Sequence, residues 1–320
     1  QSVIILLLII LIDRNNSFNK MTLNNAKISV GITAYKNAKY INEALGSLVN
    51  QTEGSWEGIF VLDKGADEDT TKIFDNFNHP KFLKHKCRTH KGAEQARHKA
   101  IKLSKTDWYF QLDSDDIIPK NAIEKILDTI KKNPQAEFIY GPTKHFSKTS
   151  SYIMPPSNDP EVLVASALFS AIMPIKISMY HRLGGYSKEL KYFAADWDFW
   201  LSVHEKKIIG AETKIVLYHR RNHSNNVINR NIDKWPEVIK IIIDRHPTFF
   251  SKNNRRRKAL YSVYEKLARH YRTIRQRKKA ADYARIALEN GDSTTTLLEI
   301  IKEERMSRVR YIMRLLGKLI

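Results

Sequence analysis

Between Lys27 and Leu112 the chain alternates short apolar runs with longer stretches whose apolar residues recur every three or four positions. Ile28–Thr33, Gly58–Leu62, Phe82–Cys87 and Trp108–Leu112 read as strands. Asn37–Asn50, Asp67–Phe77 and Gly92–Ser104 read as helices, the second opened by Asp and Thr residues able to cap it. A βαβα order of this kind folds into a mostly parallel sheet with helices on both faces. The fourth strand runs directly into Asp113-Ser114-Asp115-Asp116. Open parallel sheets bind ligands beyond the carboxyl ends of their strands, so these carboxylates stand where chemistry is expected.

A helix over 120–132 and a strand over 137–140 follow, then a Ser- and Pro-containing loop over 147–160. Leu168–Tyr186 is apolar with a Gly184-Gly185 turn, Asp196–Lys206 reads as a helix capped by Asp196, Lys214–His219 as a strand and Arg221–Asn231 as a polar loop. After Trp235 helical spacing takes over, at Leu260, Val263, Tyr264 and Leu267, then at Ala280, Tyr283, Ala284, Ala287 and Leu288, then at Leu297, Leu298 and Ile301. Asn290-Gly291-Asp292 marks a stop and restart. Leu267–Gly291 resembles a single helix-turn-helix unit of a tetratricopeptide array. The expected division is an apolar leader over 1–20 outside the fold, a sheet domain over 21–232 and a helical region over 233–320.

Charge separates that last region from the rest. Residues 251–320 hold 19 basic and 7 acidic side chains, a net of +12 out of +20 for all 320 residues. Such a field attracts polyanions. Arg308, Arg310, Arg314 and Lys318 interleave with Val309, Ile312, Met313, Leu315, Leu316 and Leu319, the pattern of a helix lying on a membrane surface. The cluster Arg255-Arg256-Arg257-Lys258 suits phosphates, but no nucleic-acid motif accompanies it. A solvated helix face is the bland alternative. The single cysteine, Cys87, allows no internal disulfide, which fits a reducing compartment. The apolar run Val3–Ile12 is too short to span a bilayer and lacks signal-peptide flanks.

Asp113-Ser114-Asp115 alone is equally good turn chemistry. Its neighbours narrow the reading. Ile28–Asn37 with Ala44-Leu45, Ser47-Leu48 and Asn50-Gln51-Thr52, then Phe60–Thr70, then Gly92–Arg97 with Ala100-Ile101, then Leu112–Asp116, then Gly184-Gly185-Tyr186 with Asp196–Leu201, together resemble the family 2 group of GT-A glycosyltransferases. The likeness spans about 27–226, in order. It implies a GT-A nucleotide-diphospho-sugar transferase fold of α/β class with a basic helical appendage. It implies inverting transfer of a sugar, a UDP-sugar being favoured, to an acceptor hydroxyl of a glycan or lipid-linked carrier in lipopolysaccharide or capsule assembly. By that resemblance Thr33, Tyr35, Asp63 and Arg97 line the nucleotide. Asp113 serves the ribose or metal region, Asp115 holds Mg²⁺ or Mn²⁺, and His223 lies near the diphosphate as a further metal-side group. Asp196 is the general base, with Asp198 as substitute. Two positions depart from the family pattern: Lys64 stands where a second acid is usual, and Ala195 where a Glu often precedes the base. Trp197 and Trp200 are read either as core or as a platform for an acceptor sugar. The expected location is the cytoplasm, with 251–320 against the inner face of the cell membrane. Two rival readings are a nucleotidyltransferase, which calls for a glycine-rich loop absent from Thr33–Asn37, and a non-catalytic polyanion- or glycan-binding protein.

Overall fold

The computed structural model describes residues 26–316 apart from 90–91, 156, 158, 167–171, 191–192, 224–230 and 292–293, with side chains up to 309. The leader over 1–20 lies outside the described residues. So do parts of the 168–186 stretch and the 221–231 loop, and the side chains from Arg310 onward, those of Arg314 and Lys318 included.

The chain divides into two compact units, and the first holds the sheet. Its elements are β1 (Ile28–Ala34), α1 (Ala38–Val49), β2 (Trp56–Leu62), α2 (Glu68–Asn76), β3 (Phe82–Lys86), α3 (Ala93–Leu103), β4 (Trp108–Asp113), α4 (Ala122–Lys132) and β5 (Phe138–Tyr140). After them come β6 (Thr143–Phe146), β7 (Ser151–Met154), β8 (Ile175–Lys176), α5 (Ile177–Arg182), β9 (Gly210–Glu212) and β10 (Tyr218–Arg221). The main sheet has the order β3-β2-β1-β4-β8-β5-β9, parallel except where the short β8 runs against β4 and β5. β1 and β2 are buried along nearly their whole length, and β4 up to Leu112. That explains why they read as continuous apolar runs rather than alternations. Asp67 caps α2, its side chain accepting the Thr70 N–H at 2.7 Å.

Chain order reverses at β1, which has β2 on one side and β4 on the other. The crevice at the carboxyl ends of β1 and β4 is the topological switch point. Register makes Thr33 and Asp113 direct partners across it. A second sheet, β10-β6-β7, carries the chain back to the same end, with Ile117 and His219 bridged.

The second unit gathers 158–168, 192–205 and the chain from 225 onward. It contains α6 (Ala195–Glu205), α7 (Trp235–Arg245), α8 (Pro247–Phe250), α9 (Arg255–Thr273), α10 (Arg277–Asn290) and α11 (Thr295–Leu316). The linear boundary expected at 232 therefore gives way to an interleaved one. The physical reason is apolar packing: Trp197, Phe199 and Trp200 on α6 are at most 2% exposed, and Trp197 lies 6.3 Å from the Trp235 ring of α7. The acceptor-platform reading of Trp197 and Trp200 is corrected by this burial, with the Trp197 indole N–H donating to the Leu163 carbonyl at 2.7 Å. In α9 and α10, Tyr264 and Tyr271 stack on Tyr283 at 6.0 and 5.5 Å. The apolar register of α11 also differs from expectation. Leu297 and Ile300 are buried, and Leu298 is 52% exposed.

Candidate active site

At the switch point the polar side chains hold one another. On β4, Gln111 and Asp113 point to the same side because strand residues two apart share a face. The Gln111 amide N–H donates to Thr33 Oγ1 at 3.3 Å and to Asp113 Oδ1 at 3.1 Å, while Tyr109 O–H donates to its carbonyl oxygen. Gly31 makes this possible, since a methyl group there would overlap the Tyr109 ring. The first turns of α3 bring Arg97 over Asp113. Arg97 Nη2 donates to both carboxylate oxygens, at 2.7 and 2.8 Å, and Nη1 to Glu94 at 3.1 Å. Burial works against the guanidinium charge, but Asp113 and Glu94 hold its proton well above the ordinary arginine range. Asp113 is thus a fixed, charge-neutralised acceptor, and its backbone N–H is taken by Tyr218 Oη at 2.8 Å.

Asp115 faces a different partner. His223 Nε2 donates to Asp115 Oδ2 at 2.9 Å, and the two side chains keep 20% and 25% exposure. Arg221 fixes the turn beneath them. Its Nε donates to the Asp115 carbonyl at 2.9 Å, its backbone N–H to Asp116 Oδ1 at 2.6 Å, and its Nη2 to Glu43 at 2.7 Å. Asp116 is 5% exposed, and burial with the nearby charges of Asp115 and Asp113 pushes its carboxyl up to about 8. It is a structural member of the turn. Asn37 donates to Ser114 Oγ at 2.8 Å, tying the loop after β1 to the loop after β4.

Along the edge of the same end, a methyl group at Gly65 would meet the Tyr35 ring at 3.7 Å, and Asp63 is 5% exposed with Oδ1 accepting the Lys64 backbone N–H at 2.9 Å. The Lys64 side chain is exposed. Thr33, Tyr35, Asp63, Arg97, Asp113, Asp115 and His223 are all in the sheet unit. Asp196 and Asp198 are in the helical unit. Asp196 sits in the first turn of α6 and accepts the Trp197 N–H at 2.9 Å. Asp198 is 1% exposed. It takes Arg245 Nε at 2.6 Å and His246 Nε2 at 3.1 Å, and His246 Nδ1 reaches Glu205 at 2.9 Å. Burial raises the Asp198 carboxyl, but the bonds from His246 and Arg245 outweigh it and hold the group below the usual carboxylate range. An occupied, buried carboxylate braces a helix, so the substitute-base role expected for Asp198 does not fit its surroundings.

Gln111, Tyr218, Arg221 and Asn37 are site residues that the sequence reading did not single out. Gln111 had a signal: a polar residue in an apolar strand, two before the acid. Arg221 and Tyr218 had none, because their partners lie 105 or more positions away.

Among the described residues no three His, Cys, Asp or Glu side chains group for a metal. Asp115 offers a hard carboxylate oxygen and His223 a borderline imidazole nitrogen, both still partly open to solvent. Two protein donors fit a divalent ion that takes its remaining oxygens from a diphosphate and water. Asp113, expected beside the metal, has both oxygens on Arg97.

The family model described as glycosyl transferase family 2 matches residues 29–187. A chondroitin synthase of Escherichia coli is 27% identical over 214 residues, covering 64% of this chain and 30% of that protein. The chain spans less than two thirds of the curated relatives matched first, 61% in one case. Among solved structures, the S. aureus TarS fragment 1–349 in complex with UDP-GlcNAc matches with a TM-score of 0.58 at 16% identity, over 82% of this chain and 90% of that one. The mannosyltransferase PcManGT of Pyrobaculum calidifontis, in complex with GDP-Man and Mn²⁺, matches with a TM-score of 0.53 at 12% identity, over 88% and 80%. The sheet order, the switch-point acids and these likenesses agree on a GT-A fold. Through residues 29–187 the chain belongs to glycosyl transferase family 2.

Proposed function

We propose that the protein transfers a sugar, with inversion, from a nucleotide-sugar to an acceptor hydroxyl in the assembly of a bacterial polysaccharide. The observation that carries this is the meeting, at the carboxyl ends of β1 and β4, of a fixed Arg97–Asp113 pair with the open Asp115–His223 pair. Tyr35 and Asp63 hold the nucleoside, and UDP is the favoured carrier. The TarS complex with UDP-GlcNAc supports that choice. Asp113, steadied by Arg97, accepts from the ribose. Asp115 and His223 are the residues that would hold Mg²⁺ or Mn²⁺, and the Mn²⁺ in the mannosyltransferase complex supports this. A divalent ion there supplies charge neutralisation for the leaving diphosphate. Asp196 takes the proton of the acceptor hydroxyl as its oxygen bonds to the anomeric carbon and the bond to the diphosphate breaks. The acceptor is a glycan or lipid-linked chain at the cytoplasmic face of the membrane, reached through residues 251–320. No described helix is long and apolar enough to cross a membrane.

The test separates binding from chemistry. Asp196→Asn keeps donor affinity within about twofold and loses transfer by about a hundredfold or more, the scale of general-base catalysis. Full turnover in Asp196→Asn, followed by release of nucleoside diphosphate, removes the base assignment.

A further inference from the structure

In α11 the charges are sorted by side. Glu299 and Glu303 meet Arg272 of α9 at 3.4 and 2.6 Å. Glu304, 5% exposed, pairs with Arg285 of α10 at 3.4 Å and with Arg308 of its own helix. Arg277 donates to Ser307 Oγ at 3.1 Å, and Leu297 and Ile300 are buried. Every carboxylate among the described side chains of α11 is therefore engaged on, or beside, the side that packs on α9 and α10.

The opposite side carries Leu298, Lys302, Arg305 and Val309. Their spacing of four, three and four residues keeps them on one stripe. Leu298 is 52% exposed, Val309 53%, and Met306 on the flank of the stripe 47%. Lys302 and Arg305 are exposed between them. No acid interrupts the stripe. A helix face adapted only to water mixes both signs of charge; this one offers cations and large apolar side chains together. That combination matches an anionic bilayer surface, where apolar groups enter the boundary below the headgroups and cations meet lipid phosphates. A second copy fits it poorly. A twofold contact through this face sets Lys302 and Arg305 against their own counterparts. Nucleic acid would leave the three apolar side chains without use.

We propose that the outer face of α11 docks on the surface of an anionic lipid bilayer, with Leu298, Met306 and Val309 inserted and Lys302 and Arg305 on headgroup phosphates. The proposal rests on the membrane-surface part of the function above, and not on its transfer chemistry.

Flotation of the whole chain with phosphatidylcholine vesicles, with and without phosphatidylglycerol, tests it. The chain floats with the anionic vesicles and stays behind with the neutral ones. Each cation at such a surface is worth roughly fivefold in partitioning, so Lys302→Ser/Arg305→Ser lowers binding about 25-fold. Leu298→Ser/Val309→Ser lowers it as well. Both variants change only exposed positions, so they keep the wild-type circular dichroism and melting temperature, and they keep donor hydrolysis in free solution. Equal flotation with both vesicle types overturns the proposal, as does wild-type flotation of both variants. A dimer in sedimentation that Leu298→Ser/Val309→Ser dissolves, without flotation, assigns the face to a second copy instead. Loss of donor turnover with flotation intact would count against the transferase reading alone.

Discussion

Arg97 and Asp113 show how one residue sets what its neighbour can do. The guanidinium occupies both oxygens of Asp113, whereas Asp115 has His223 as its partner and both stay partly open to solvent. Arg97→Lys keeps the charge and loses the fork, since an ammonium cannot match a carboxylate bidentately. It is expected to raise the donor Kd about tenfold with a modest loss of stability. Arg97→Met strips the charge and leaves Asp113 uncompensated. The cost is on the order of 2 kcal/mol, below that of a fully buried pair because both side chains keep some solvent. Urea unfolding measures the difference between the two variants, and equal stabilities would contradict the pairing. Gly31 is the second residue whose identity the site requires. Gly31→Ala drives the Tyr109 ring from its place over β1, at a cost of about 1–3 kcal/mol in urea unfolding. It is expected to weaken donor binding too, through the Tyr109–Gln111–Asp113 chain.

At the scale of the element, one histidine joins the two ends of α6. Asp198 and Glu205 are seven residues apart and so share a helix face, and the His246 ring bridges them. Burial by itself lowers the His246 imidazolium, but its bonds to Asp198 and Glu205 outweigh burial and raise it above the ordinary histidine range. The sign follows. His246 contributes stability in full below the unfolded value of about 6.5, and loses it as pH rises through the raised folded value. Asp198 contributes above about 3.9 and loses its share as pH falls through its depressed folded value. The clamp is therefore strongest in mildly acid solution. His246→Gln is expected to lower the melting temperature most near about pH 5–6, with the gap to wild type closing on the alkaline side. A gap constant with pH would contradict the clamp.

The elements legible in the sequence were those whose burial imposes a pattern. β1, β2 and β4 carry apolar side chains toward both faces, and α1 buries Ile41, Ala44, Leu45 and Leu48 at helical spacing. β7 fell inside an expected loop because all four of its side chains are exposed, which leaves no alternation to read. β9 has three residues, too few for a period. β10 begins at Tyr218 rather than Lys214 because its register is set by pairing with β6, not by its own apolar residues. The acids after β2 and β4 were visible because each follows directly on a buried apolar strand. Arg221, which fixes their turn, became visible only through contacts distant in sequence.

For the whole molecule, the excess of positive charge is concentrated where the helices are, while the acids proposed for the chemistry sit at the sheet's switch point and on α6. Salt should therefore act differently on the two activities. Attraction of exposed cations to a polyanionic surface is screened over about 8–10 Å at physiological ionic strength. Vesicle binding is expected to fall severalfold between low and physiological salt, measured by flotation. Donor binding, through short contacts in a crevice, is expected to change less. A parallel loss of both would place the donor, too, on the diffuse field.

We propose that Asp115 and His223 would hold a divalent ion for a nucleoside diphosphate at the end of β4. Calorimetric titration of UDP into the protein, with Mn²⁺ and then with excess chelator, tests it directly against Asp115→Asn. The wild type is expected to bind tightly with Mn²⁺ and to lose about tenfold or more with chelator, and Asp115→Asn to show no metal effect. Equal affinity with and without Mn²⁺ in the wild type, or an intact metal effect in Asp115→Asn, would contradict it.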